Sequence, residues 1–234
     1  MKNMALRDMK RLTIRPTSAD VSLANTIAAH TGPRIEAAAK ILTWGADEHV
    51  LSALALGWWL TCRNKDEHER RSSDHILLTT LVASALPHLL KTAFQQERPD
   101  RTTIWGHWRG IPLSGKRYDA FPSGHAMHIG ALASAASALP AGQRNVAWSI
   151  GAGLALTRIA LLAHWASDVA VGLAVGAITE RLLRFVTGYG RENDRTAPGA
   201  RRSRSAIKPF VAKKNGCIEH HGNVEAISTP WRAS

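Results

Sequence analysis

Cysteine is nearly absent. The chain has two, Cys62 and Cys217, and their separation matches no metal or dithiol spacing. Cys217 has His220 and His221 nearby, but in so polar a stretch they read as chance neighbours rather than a metal site. Aromatic residues make up only 6%, and no RNA-binding or helix-turn-helix pattern accompanies the basic charge, so nucleic acid is not expected as a partner. The first residues lack the continuous apolar run of a cleavable signal peptide. If the chain enters a membrane, its own first apolar helix has to direct it there. Strand-like alternation of apolar and polar residues is also missing, which leaves an all-α reading.

Acidic residues are outnumbered, 18 against 30 Lys and Arg, for a net charge of +12. The excess sits at the ends. Residues 1–37 carry six Lys or Arg against three acids, and residues 189–234 carry nine against four. This predicts a core domain over 38–188 between a polar, basic N-terminal region and a basic, disordered tail. Such a tail can be plain solvated chain or an attachment to anionic lipid.

The core holds five apolar segments of helical length: Ile41–Cys62, Ile76–Phe94, Ala126–Leu139, Val146–Ala163 and Trp165–Val186. Between Ala120 and Gln143 there is no Asp, Glu, Lys or Arg, so no helix face there carries the charge a water-facing surface needs. A membrane-embedded bundle of about five transmembrane helices is the better reading. The mean hydropathy of -0.14 and the charges within the first segment keep a soluble bundle as the alternative. Six spans is the alternative count, though Val21–His30 is too short and polar to serve as the sixth. Arg63–Asp74 reads as a charged turn, Pro140–Asn145 as a short hairpin, and 95–121 as a long functional loop.

Three polar clusters interrupt the apolar chain. One is Lys91 with Arg98, followed by Pro99; the second is Pro122-Ser123-Gly124-His125; the third is Arg158, His164 and Asp168. Each alone has an ordinary explanation: a basic helix end, a helix N-cap, an i,i+4 pair. Arg158 is harder to dismiss, since an arginine inside an apolar helix costs about 2.5–3.5 kcal/mol on insertion scales. If 140–145 is a hairpin, the three clusters converge on one end of the bundle. There Lys91, Arg98 and Arg158 would offer positive charge to phosphate oxygens, and Ser123 and Gly124 an anion-binding helix start. His125, His164 and Asp168 would remain for proton transfer and nucleophilic attack.

Lys-x6-Arg-Pro, Pro-Ser-Gly-His and Arg-x5-His-x3-Asp, in this order, resemble the type-2 phosphatidic acid phosphatase superfamily, which shares its site with vanadium haloperoxidases. The resemblance covers roughly 41–186. It implies His164 as a nucleophile forming phosphohistidine, Asp168 holding its imidazole, and His125 protonating the leaving oxygen. Lys91, Arg98, Ser123, Gly124 and Arg158 would bind phosphate, with no metal or other cofactor. Thr157 stands where the family usually has Ser, and Ala166 where Pro is common. The implied substrate is a phosphomonoester or pyrophosphate of a lipid, and the implied partner a membrane. A vanadate-dependent haloperoxidase and a non-enzymatic binder of anionic lipid or nucleic acid are the alternatives. Trp105, Trp108 and Trp165 fit interfacial anchors better than a pocket entrance. The expected location is a bacterial inner membrane; positive charge at 63–71, Arg144 and the tail favours a site on its non-cytoplasmic side, and the basic N-terminus of a five-span chain pulls the other way.

Overall fold

The computed structural model describes residues 11–99 and 117–190. These form seven α-helices: α1 (Ser18–His30), α2 (Pro33–Leu42), α3 (Glu48–Thr61), α4 (Glu67–Ala93), α5 (Gly124–Ala136), α6 (Ala141–Ala160) and α7 (Ala166–Thr187). The helical class expected from the sequence holds, with one small addition. Two-residue strands β1 (Leu12–Thr13) and β2 (Phe94–Gln95) pair in parallel, Leu12 with Phe94 and Thr13 with Gln95. Two residues are too few for alternation to register in a sequence.

Several boundaries differ from the sequence reading, each because a polar residue caps a helix. Asp47 accepts the amides of His49 and Val50, so the charges within Ile41–Cys62 start α3 after a 3-10 turn at Thr43–Ala46. Asp66 accepts from Glu69 N–H at 2.8 Å and starts α4 inside the charged stretch expected to be a turn. Pro140 precedes the first residue of α6, where its missing N–H costs no helical bond, so most of the expected hairpin is helix. Among the described residues only α4 is long and apolar enough to cross a membrane by length and composition. Helices α3 and α5 are 14 and 13 residues, short of the ~20 a span needs. The tail after Gly190 lies outside the described residues, as do Trp105 and Trp108.

Helices α5 and α7 pack closest. A Cβ on Gly130 would lie 2.1 Å from Leu173 O, and one on Gly176 would lie 2.0 Å from Met127 O. Side chains at these positions are therefore excluded by backbone, as at the small-residue crossings that let helices touch. The contact runs up to the helix starts, where Ser123 N–H donates to Asp168 O at 3.3 Å. At the other end Glu180 is fully buried and ties three helices together. It accepts from Ser134 Oγ on α5 at 2.5 Å and from Arg184 Nε at 2.6 Å, and its Oε1 lies 3.0 Å from His75 Nε2 on α4. The chemistry expected at the opposite end thus rests on a bundle fixed at both ends.

Gly176→Ala is expected to destabilise the protein by at least about 1–3 kcal/mol, the usual cost of overpacking, because the obstacle is backbone. Thermal unfolding in detergent checks this; an unchanged midpoint would mean that the helices separate without penalty.

Candidate functional site

The segment 161–165 joins α6 to α7 and carries His164. Leu162 within it adopts φ 53°, a left-handed conformation costly for a branched side chain. The turn this makes brings Ala163 N–H back to Arg158 O at 3.1 Å and buries His164 at 4% exposure. His164 Nδ1 donates to Ala120 O at 2.6 Å. That bond selects the tautomer and leaves Nε2, which has no hydrogen-bond partner among the described residues, with its lone pair.

Around this imidazole stand the three cations singled out in the sequence. Arg98 Nη1 donates to Ala163 O at 2.9 Å and Nη2 to Asp119 O at 3.3 Å. Arg158 Nη1 donates to Thr43 Oγ1 at 2.9 Å, while its buried Nε has no partner. Lys91 Nζ pairs with Asp119 Oδ2 at 3.2 Å. Burial above all, and then Arg98, Arg158 and Lys91 in that order, push the His164 pKa well below its ordinary 6.5. The ring is therefore neutral, the form that can attack an electrophile. The same three cations surround His125, which opens α5.

Ser123 is the N-cap of α5, its hydroxyl accepting from Ala126 N–H at 3.4 Å. The amides of Gly124 and His125 have no acceptor among the described residues and remain free for an anion at this helix start. Asp168 stands differently from the role the resemblance implies. Its Oδ2 accepts from Trp165 N–H at 3.0 Å and lies 4.0 Å from His164 Nδ1, beyond hydrogen-bond reach, while Oδ1 is buried without a partner. The nearest holder of the imidazole is a backbone carbonyl. Trp165 is 1% exposed and donates from its indole to Glu97 O at 2.8 Å, so it is a core residue rather than an interfacial anchor. His128 packs inside, Nδ1 to Gly124 O at 3.0 Å and Nε2 to Ser84 Oγ at 2.9 Å. No group of three or more His, Cys, Asp or Glu among the described residues is placed to hold a metal.

Four contributors escaped the sequence reading. Ala120 acts through its carbonyl and leaves no side-chain signature. Thr43 sits in a turn hidden within an apolar run. Asp119 stands just before the Pro-Ser-Gly-His motif and could have been noticed by proximity. Asp20 closes a Thr17-Ser-Ala-Asp20 capping box, a readable helix start that was passed over.

With this geometry in hand, the similarities to known proteins can be placed. Residues 75–190 match the PAP2 superfamily model. This segment belongs to the PAP2 superfamily. It contains all eight residues named from the motifs. A lipid A 1-phosphatase of Rhizobium johnstonii is 35% identical over 104 residues, 44% of this chain and 43% of that protein. One from Rhizobium etli is 38% identical over 102 residues, 43% of this chain and 44% of that one. The chain therefore aligns with less than half the length of these curated relatives. Among solved structures, Aquifex aeolicus LpxE superposes with a TM-score of 0.61 at 20% identity, covering 74% of this chain and 98% of that one. The transmembrane PAP2-type phosphatidylglycerolphosphate phosphatase of Bacillus subtilis gives 0.54 at 17% identity, covering 78% of this chain and 88% of that one. At such identities the structural matches establish the PAP2 fold.

Two outcomes are expected. An imidazole held neutral must take up a proton on unfolding in acid, so the unfolded state binds more protons below pH 6.5 and stability falls as pH drops. His164→Gln should flatten that decline between pH 6.5 and 5 by up to about 1.4 kcal/mol per pH unit, read from unfolding midpoints; parallel curves for both proteins would contradict a neutral His164. Asp119→Asn releases Lys91 from its carboxylate and should tighten binding of inorganic phosphate a few-fold in calorimetry, whereas weaker binding would show that the pair positions Lys91 instead.

Proposed function

We propose that the protein is a membrane phosphatase that removes a phosphate from a lipid through a phosphohistidine on His164. The observation that carries this reading is the His164 ring: Nδ1 engaged by Ala120 O, Nε2 unengaged, three cations around it. In the proposed first step Nε2 attacks phosphorus, the P–O bond to the lipid breaks, and His125 gives its proton to the departing oxygen. In the second, water attacks the phosphohistidine while His125 takes up a proton, and inorganic phosphate leaves. Lys91, Arg98, Arg158 and the free amides at the start of α5 stabilise the phosphoryl oxygens throughout. Asp168 would act on His164 across 4.0 Å as a fixed negative charge and cap of α7 rather than as its hydrogen-bond partner.

A lipid substrate fits the surroundings. Leu54, Leu60, Leu81, Leu89, Trp148, Ile150, Leu156, Ile178, Leu182 and Phe185 on α3, α4, α6 and α7 are half or more exposed, an apolar girdle that calls for lipid contact. We read α3, α4, α6 and α7 as membrane-embedded on that ground, with α5 enclosed among them as the fifth. A cavity of about 390 Å³ beside Lys91, lined also by Arg11, His88, Thr92, Arg117, Tyr118 and Asp119, has room and positive charge for a headgroup. Since the Rhizobium relatives are lipid A 1-phosphatases, lipid A 1-phosphate is the first substrate to try. Arg63, Arg70, Arg71 and Arg144 lie at the bundle end away from His164, which favours a site on the non-cytoplasmic side.

Purified protein in detergent should release phosphate from lipid A 1-phosphate, with phosphatidate and phosphatidylglycerol phosphate as comparators and with chelator present. His164→Ala should abolish turnover and the acid-labile labelled intermediate. Wild-type rates in that variant would overturn the assignment.

A further inference from the structure

We infer that Asp20, on the N-terminal helix and outside the family-matched segment, is a positioning residue for the His164 nucleophile. The inference rests on the phosphatase reading above and adds a part to it. The N-cap of α7 is Trp165, whose side chain makes no capping bond to the backbone. A helix start leaves amide groups without intrahelical acceptors. Here the second helical residue, Ser167, finds its acceptor on another helix: Asp20 Oδ1 takes the Ser167 N–H at 3.0 Å, and Oδ2 takes the Ser167 hydroxyl at 2.9 Å. Asp20 is itself immobilised. Its Oδ2 also accepts from Thr17 N–H at 3.0 Å and Thr17 Oγ1 at 2.8 Å, and the residue is 5% exposed. Burial favours the neutral acid, but the hydrogen bonds from Ser167 and Thr17 together outweigh it and keep the carboxyl below its ordinary range. A negative charge at the start of α7 also complements the helix dipole.

The rest of α1 supports the same loop. Ala24 and Ala28, with Val21 and Ile27 beside them, pack on Leu162, Trp165 and Ala120. These are the strained residue before His164, the residue after it, and the residue whose carbonyl holds its Nδ1. A left-handed leucine persists only where its surroundings fix it, and α1 supplies those surroundings. Strand β1 continues the tie by pairing with Phe94–Gln95, between Lys91 and Arg98. The Asp20–Ser167 contact is thus the polar end of a strap that sets the height of His164 against the cations.

The prediction concerns chemistry more than binding, because the phosphate ligands stay in place. Asp20→Ala should lower kcat by about 10- to 100-fold, the cost of a misplacement near 1 Å, with KM within about two-fold of wild type. Asp20→Asn keeps one acceptor for Ser167 N–H and should fall between. Ser167→Ala, which spares the backbone bond, guards against a misfolded Asp20→Ala and should show a smaller loss of the same kind. Quench-flow trapping of phosphohistidine separates positioning from simple folding. Positioning slows the rate constant of its formation, whereas a structural role reduces only the amplitude. Wild-type rate constants with reduced amplitude, or an unchanged kcat in Asp20→Ala and Ser167→Ala, would overturn the inference. Absence of turnover in the wild-type protein would instead overturn the phosphatase reading on which it rests.

Discussion

Everything at the candidate site depends on how closely α5 and α7 approach. With Gly130 and Gly176 in backbone contact with the opposite helix, the two helix starts are brought level, and Ser123 N–H reaches Asp168 O. That places the free amides of α5 beside the loop leading into α7. A larger residue at either glycine would push the start of α5 away from the loop that carries His164. Packing in the apolar middle of the bundle therefore fixes the distances at its polar end.

The second constraint is electrostatic. Burying Arg98 and Arg158 is costly unless their donors are satisfied. The structure meets that need with neutral acceptors: Ala163 O and Asp119 O for Arg98, Thr43 Oγ1 for Arg158. Arg158 still keeps its buried Nε without a partner. Lys91 meets a carboxylate, that of Asp119, and is the least buried of the three cations. The unpartnered Nε and the positive charge gathered here suit an anion with several oxygens. The same positive charge works with burial to keep His164 unprotonated, so an arrangement suited to phosphate would also prepare the group proposed to attack it.

The sequence made side-chain chemistry legible and backbone chemistry invisible. Lys91, Arg98, His125, Arg158 and His164 announce themselves as polar residues in apolar surroundings, and the structure assembles them at one end of the bundle. Asp168 is at that end too, but its carboxylate caps α7 and stands off from the ring. The bond nearest to the catalytic role, His164 Nδ1 to Ala120 O, could not be read from spacing because any residue type supplies a carbonyl. The helix boundaries missed in the same way. Asp47 and Asp66 looked like interruptions or turns until their caps showed that acidic residues were starting helices.

In the sequence the N-terminal region reads as polar and basic, with Val21–His30 too short to span a membrane. Its composition concealed what its few apolar residues do. Four small or branched side chains on α1 and one aspartate suffice to cover Leu162, Trp165 and Ala120, because the loop they hold is only a few residues long. The family-matched segment begins at residue 75, so it supplies the reacting groups without this support or Thr43. Within that segment Ala120 O, Arg98 and Arg158 O hold the loop that carries His164, and α1 adds its packing on Leu162 and Trp165 from outside. The motifs thus lie in one stretch of the chain while part of the support for their loop comes from another, and a match to the motifs speaks only for the first.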